Sequence, residues 1–196
     1  MLIMKRYCII LISVFFIVGS LLLNSCSQTP VPKPRGYFRI DFPQKEYRTF
    51  TSECNYSFQY PVYAEVKKVN LANAEPCWYD LEFTGYKATL HLTYKPLKDN
   101  LSSYVEDIRR IVNKHIIKAD DIIETPIYNK KGVYGLLYDI KGNTASAVNF
   151  YITDSVTGFL SGSLYFNVRT NKDSLAPAIQ FFRQDIVHLI NTFSWE

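Results

Sequence analysis

The 196-residue chain carries three histidines, four cysteines, two methionines, two tryptophans and eight glycines. Each scarcity closes off some chemistry. His91, His115 and His188 do not share a metal-ligand spacing, and neither Cys-x-x-Cys nor His-Glu-x-x-His occurs. The sequence has no Gly-x-Ser-x-Gly elbow for a serine nucleophile and no glycine-rich loop to cradle a phosphate. Asp120, Asp121 and Glu124 lack the alternating oxygen ligands and central glycine of a calcium loop. Asp80 and Glu82, two apart on a strand, point to one face, where paired carboxylates suit glycoside hydrolysis only at defined separations. The wet face of a strand gives the same pattern. The sequence thus points to no catalytic residue, no metal and no cofactor. A serine, a histidine and an acid brought together only in space remain the enzymatic alternative.

Charge is equally uninformative about nucleic acid. Of 22 basic residues, Lys5 and Arg6 lie in the opening segment, leaving 20 against 18 acids, a net +2 beyond it. No basic stripe is interleaved with stacking aromatics, so no nucleic-acid partner is expected.

The chain does have a marked start. Lys5 and Arg6 precede an uncharged apolar run over residues 7–23, the layout of a secretory signal with its positive end in the cytoplasm. That run is at the lower limit for crossing a bilayer of roughly 30 Å, so length leaves an uncleaved anchor open. Leu23-Asn24-Ser25-Cys26 resembles the lipobox of bacterial lipoproteins: an aliphatic residue, two small ones, then cysteine. The resemblance implies removal of residues 1–25 and acylation of Cys26 on its sulfur and its new amine. One acyl chain holds a protein marginally; two or three, at about 0.8 kcal/mol per buried CH₂, hold it stably. A transmembrane anchor and an ordinary cleaved signal are the alternatives.

Residues 26–36 then read as a lipidated tether. Prolines 30, 32 and 34 favour an extended form, giving a ten-residue spacer with a reach of roughly 30 Å. No acid follows the cysteine directly, which favours a domain facing the periplasm. Of the other cysteines, Cys8 lies in the signal, leaving Cys54 and Cys77 as an even pair in an oxidising compartment. A disulfide between them is expected, with two buried free thiols as the alternative.

Residues 37–196 are expected to form one α+β domain. Strands are predicted over 56–60, 78–83 and 88–95, the last from the alternation of Ala88, Leu90, Leu92 and Tyr94 with polar residues. A helix is predicted over 101–115, with Ser103 and Glu106 spaced as a capping box. A meander follows over 121–128, 133–140, 145–154 and 159–168, joined by NKKG, KGNT and SVTG turns. A second amphipathic helix over 174–193 places Pro177 within its first turn. The simplest architecture is one curved antiparallel sheet with two amphipathic helices packed on it.

Tyr37, Phe38, Phe42 and Tyr47, with Arg35 and Arg39 beside them, make a candidate partner-binding surface, since tyrosine and arginine anchor interfaces well. The alternative is that these aromatics line the sheet edge and core.

From Pro32 to Trp195 the chain also resembles a known family. PKPRGYFRIDFP (32–43), CWYDLEF (77–83), KHIIKADDIIE (114–124), VYGLLYDIKGNTASAVNFYITDS (133–155) and FLSGSLYFN (159–167) are similar to the gliding-motility lipoproteins called GldD, of the Bacteroidota. The resemblance implies an envelope lipoprotein needed for gliding and associated with the type IX secretion machinery, with no catalytic residues and only the lipid-bearing cysteine carried over, onto Cys26. The expected location is the cell envelope, lipid-anchored and periplasm-facing, at the outer membrane in preference to the inner. The element order is similar to the PsbP/Mog1-like fold. Two functional classes follow: a non-enzymatic lipoprotein acting by protein–protein contact, or a module binding lipid, peptidoglycan or glycan.

Overall fold

A computed structural model describes residues 14, 40–72, 74–168 and 171–196. A compact unit runs from Phe38 to Glu196. Its strands are β1 (Tyr47–Thr51), β2 (Tyr56–Pro61), β3 (Glu65–Lys68), β4 (Tyr79–Phe83), β5 (Ala88–Pro96), β6 (Ala119–Tyr128), β7 (Tyr134–Gly142), β8 (Ser146–Thr153), β9 (Gly158–Phe166) and β10 (Ser194–Trp195). Its helices are α1 (Leu101–Asn113) and α2 (Lys172–Thr192).

The main sheet has seven antiparallel strands in the order β3-β4-β5-β9-β8-β7-β6. The meander from β6 to β9 lies as the turn chemistry predicts, and β5 closes onto β9. The expected antiparallel sheet carrying two helices is present, and β1-β2-β10 adds a small second sheet.

Side-chain alternation divides the core in two. On one face Leu137, Val148, Phe150, Ile152, Leu160 and Leu164 meet Phe182, Ile186 and Leu189 of α2 and Tyr56 and Phe58 of β2. On the other, Tyr138, Ile140, Tyr151 and Phe159 meet Val112, with Tyr104, Val105 and Ile108 of α1 packed around them. Strand β8 is buried along its whole length because both faces are covered there.

Side chains hold the NKKG turn and the start of α2. Asn129 Oδ1 accepts from the Lys131 and Val133 amides at 2.8 and 3.2 Å, shaping the NKKG turn. Its Nδ2 donates to the Ile190 and Phe193 carbonyls at 3.3 and 3.1 Å, tying that turn to the end of α2. Asn171 caps the start of α2, accepting from the Asp173 and Ser174 amides.

Helix α2 therefore begins two residues earlier than expected, and Pro177 falls in its second turn. The Ser103–Glu106 capping box does not form either. Asn100 is the N-cap of α1 without a side-chain bond to the helix. Its Oδ1 turns back to accept from the Lys98 amide at 2.9 Å.

Cys54, in the turn after β1, is bonded to Cys77, just before β4, as expected. The bridge joins the small sheet to the large one. It closes a loop of 23 residues, for which chain-entropy reasoning gives about 3 kcal/mol. Replacing both cysteines by alanine is expected to lower unfolding stability by that order in urea titration. Gly135 is a second sensitive point: a Cβ there would stand 1.9 Å from the Tyr151 carbonyl oxygen on β8. Because the obstacle is backbone, Gly135→Ala is expected to cost roughly 1–3 kcal/mol, read as a lower denaturation midpoint.

Candidate functional site

Helix α2 organises the polar groups of the domain. Phe182, Ile186 and Leu189 form its buried stripe, and residues three and four apart build one polar flank on each side. Phe181, Asp185 and His188 lie on one flank; Ala176, Gln180 and Arg183 lie on the other.

On the first flank Asp185 is almost fully buried and accepts three hydrogen bonds. Lys45 Nζ donates to Oδ1 at 2.7 Å, the Tyr47 hydroxyl to Oδ1 at 3.0 Å and the Tyr63 hydroxyl to Oδ2 at 2.6 Å. Lys45 also donates to the Phe181 carbonyl at 2.9 Å, with its ammonium 3.2 Å from the centre of the Phe181 ring. Burial pushes the Tyr47 hydroxyl up to about 12, with help from the Asp185 charge, and raises Tyr63 for the same reasons. Burial lowers the Lys45 ammonium despite its pairing with Asp185. His188 stacks on Tyr47 at 3.6 Å and meets Gln59 Oε1 at 2.9 Å. Phe42 stacks on Phe181 at 4.2 Å and on Tyr86 at 5.7 Å. This cluster clips the segment entering the domain onto α2. Of the aromatics weighed for partner binding, Phe42 and Tyr47 therefore pack inward. Cys26, Arg35, Tyr37, Phe38 and Arg39 lie outside the described residues.

On the second flank the helix stops short of the sheet edge. The β6–β7 wing projects past it and leaves a groove of about 550 Å³. Ile123 and Lys141 lie along the sheet side, Ala176, Ile179 and Gln180 along the helix side. Arg183 crosses between them, donating through Nε and Nη2 to the two Asp139 oxygens at 2.6 and 2.7 Å. That bidentate pair raises the arginine further. A largely apolar trough with one fixed ion pair suits an apolar stripe or an amphiphile.

The groove and the Asp185 cluster were not among the expected site residues. Asp185 carried one legible signal: an acid directly beside the apolar face of a helix. Its partners lie up to 140 residues away and gave none.

The other polar candidates resolve into pairs. His91 Nδ1 lies 2.6 Å from Asp80 Oδ1, and Lys67 Nζ donates to Glu82 at 2.5 Å. Ser163 is the cross-strand neighbour of His91. Among the described contacts no hydrogen bond joins Ser163 to His91, whose ring nitrogen lies against Asp80. Among the described residues no three His, Cys, Asp or Glu side chains are placed to hold a metal ion. None of their helices is long and apolar enough to cross a membrane.

Fold and site together define an α+β domain with a clamped entry segment and a lateral groove. The family model for "Gliding motility lipoprotein GldD" matches residues 27–195, and the chain belongs to that family. Membership makes it a gliding-motility lipoprotein by class and places it at the cell envelope. Among solved structures it is similar to cyanobacterial PsbP (CyanoP) from Synechocystis sp. PCC 6803. That likeness has a TM-score of 0.47 and 11% identity over 89% of this chain and 99% of the other. No curated protein matches.

Proposed function

We propose that this chain is a non-enzymatic lipoprotein, fixed to the outer membrane through acylated Cys26, that supports gliding and type IX secretion by docking a component of that machinery from the periplasmic side. The observation that carries this reading is the family match from residue 27, immediately after Cys26, to residue 195. Tethering raises the effective concentration of the domain for a membrane-bound partner without demanding a tight contact. The groove beside α2 is the natural seat for that partner, since it is concave, largely apolar and bordered by fixed polar groups.

A photo-crosslinking residue at Gln180, on the groove wall, tests this in living cells. Recovery of gliding or secretion components by mass spectrometry is expected, and recovery of only unrelated abundant envelope proteins would contradict it. The second reading, a module binding lipid, peptidoglycan fragment or glycan, is favoured by the groove volume of about 550 Å³. A small molecule released from the purified native protein, and lost in Ile179→Glu, would select that reading.

A further inference from the structure

We infer that the turn over residues 114–118, between α1 and β6, is a membrane-contacting tip that seats Ile116 and Ile117 in the interface of the bilayer to which the chain is anchored. This rests on the lipid anchor proposed above. Ile117 is 90% exposed, Ile116 57% and Ile111, in the last turn of α1, 40%. Large aliphatic side chains gathered in the open mark a contact surface rather than chance exposure.

The turn holds its shape. The Ile116 amide donates to the Asn113 carbonyl at 3.1 Å, and the Lys118 and Ala119 amides both donate to the His115 carbonyl at 2.9 Å. Beneath it Val112 is buried. Gly142 brings β7 so close that a Cβ there would stand 2.6 Å from the Lys118 carbonyl oxygen. The isoleucines are thus presented by a braced turn.

Lys114 and Lys118 flank the pair, with His115 beside it, while the exposed acids Asp120, Asp121 and Glu124 share a surface hollow with Ile116 on the β6 side. Aliphatic side chains rimmed by lysines match a bilayer surface containing anionic lipid, where the stems lie among acyl chains and the ammoniums meet headgroups.

Topology supplies the orientation. Ala119 pairs with Gly142 at the end of the sheet where β5 begins, Ala88 being paired with Phe166. The chain enters the domain at that same end: the Tyr86 hydroxyl, just before β5, donates to the Asp41 carbonyl at 3.1 Å, and Phe42 stacks on Tyr86. Four strand spacings separate β5 from β6, about 20 Å. The opposite end also exposes aromatics, Tyr128 and Tyr134, beside Lys130 and Lys131. The chain does not enter there.

The test uses the full lipidated protein reconstituted into vesicles of phosphatidylethanolamine and phosphatidylglycerol bearing brominated acyl chains. A bimane probe is attached at Ile117→Cys or, at the far end, at Tyr128→Cys. The expected result is a blue shift and loss of about half the fluorescence at 117, no change at 128, and recovery at 117 when Ile116→Glu is added. A chain that floats with the vesicles while its probe at 117 stays in water would overturn this inference and leave the anchor standing. Failure to float would remove the anchor and the inference with it. A probe shielded in whole envelopes but not in pure lipid would overturn the bilayer contact in favour of a protein one.

Discussion

Asp185→Ala is expected to destabilise the domain by about 3 kcal/mol, the low end of what breaking a buried ion pair costs, because Lys45 keeps some access to water. The loss is large for one side chain because Lys45, Tyr47 and Tyr63 all surrender an acceptor together. For a domain of this size that is a fall in melting temperature of about 10 °C. Asp185→Asn keeps an acceptor oxygen for Tyr63 and is expected to lose less. Pairing Asp185→Ala with Lys45→Met should recover part of the loss, since no ammonium is then left without its carboxylate. A change below about 1 kcal/mol in urea unfolding of Asp185→Ala would show that the cluster behaves as a surface pair.

The second large effect concerns location rather than stability. Cys26→Ser is expected to shift the protein from the membrane to the soluble envelope fraction and to abolish complementation of gliding. Its melting temperature should stay unchanged. The physical ground is the steepness of lipid anchoring, since each buried CH₂ contributes about 0.8 kcal/mol and removing two or three chains removes nearly all affinity. The membrane-contacting turn adds only side-chain burial and does not replace the chains. Retention of Cys26→Ser on washed membranes would mean that the apolar run over residues 7–23 remains as an anchor.

The strands that could be read from the sequence are those with a periodic burial demand. In β5, Ala88, Leu90 and Leu92 are buried while His91 is exposed, so alternation appears directly in the residue types. Strand β8 shows as an apolar run bounded by turn residues because both its faces are covered. Strands β1 and β3 carry no such signal, for the opposite reason. YRTFT and EVKK are mostly exposed edge segments, stabilised by pairing with β2 and β4, and pairing leaves no local pattern. The start of α2 depends on Asn171, whose capping role is fixed by its own side-chain geometry rather than by apolar spacing.

The candidate site divides along the same line. The disulfide partners followed from counting cysteines in an oxidising compartment, whereas the His91–Asp80 contact depends on the register of β4 against β5, which sets the two opposite each other and leaves no local pattern. The groove exists because the β6–β7 wing extends beyond the helix that covers its neighbours, and no residue pattern encodes how far a helix reaches across a sheet.

The most direct measurement is mass spectrometry of the mature N-terminus. The tryptic peptide is expected to open at Cys26, to carry two or three acyl chains on that residue, and to be accompanied by no peptide from residues 1–25. An unmodified peptide through Cys26, or a chain cut elsewhere, would contradict it.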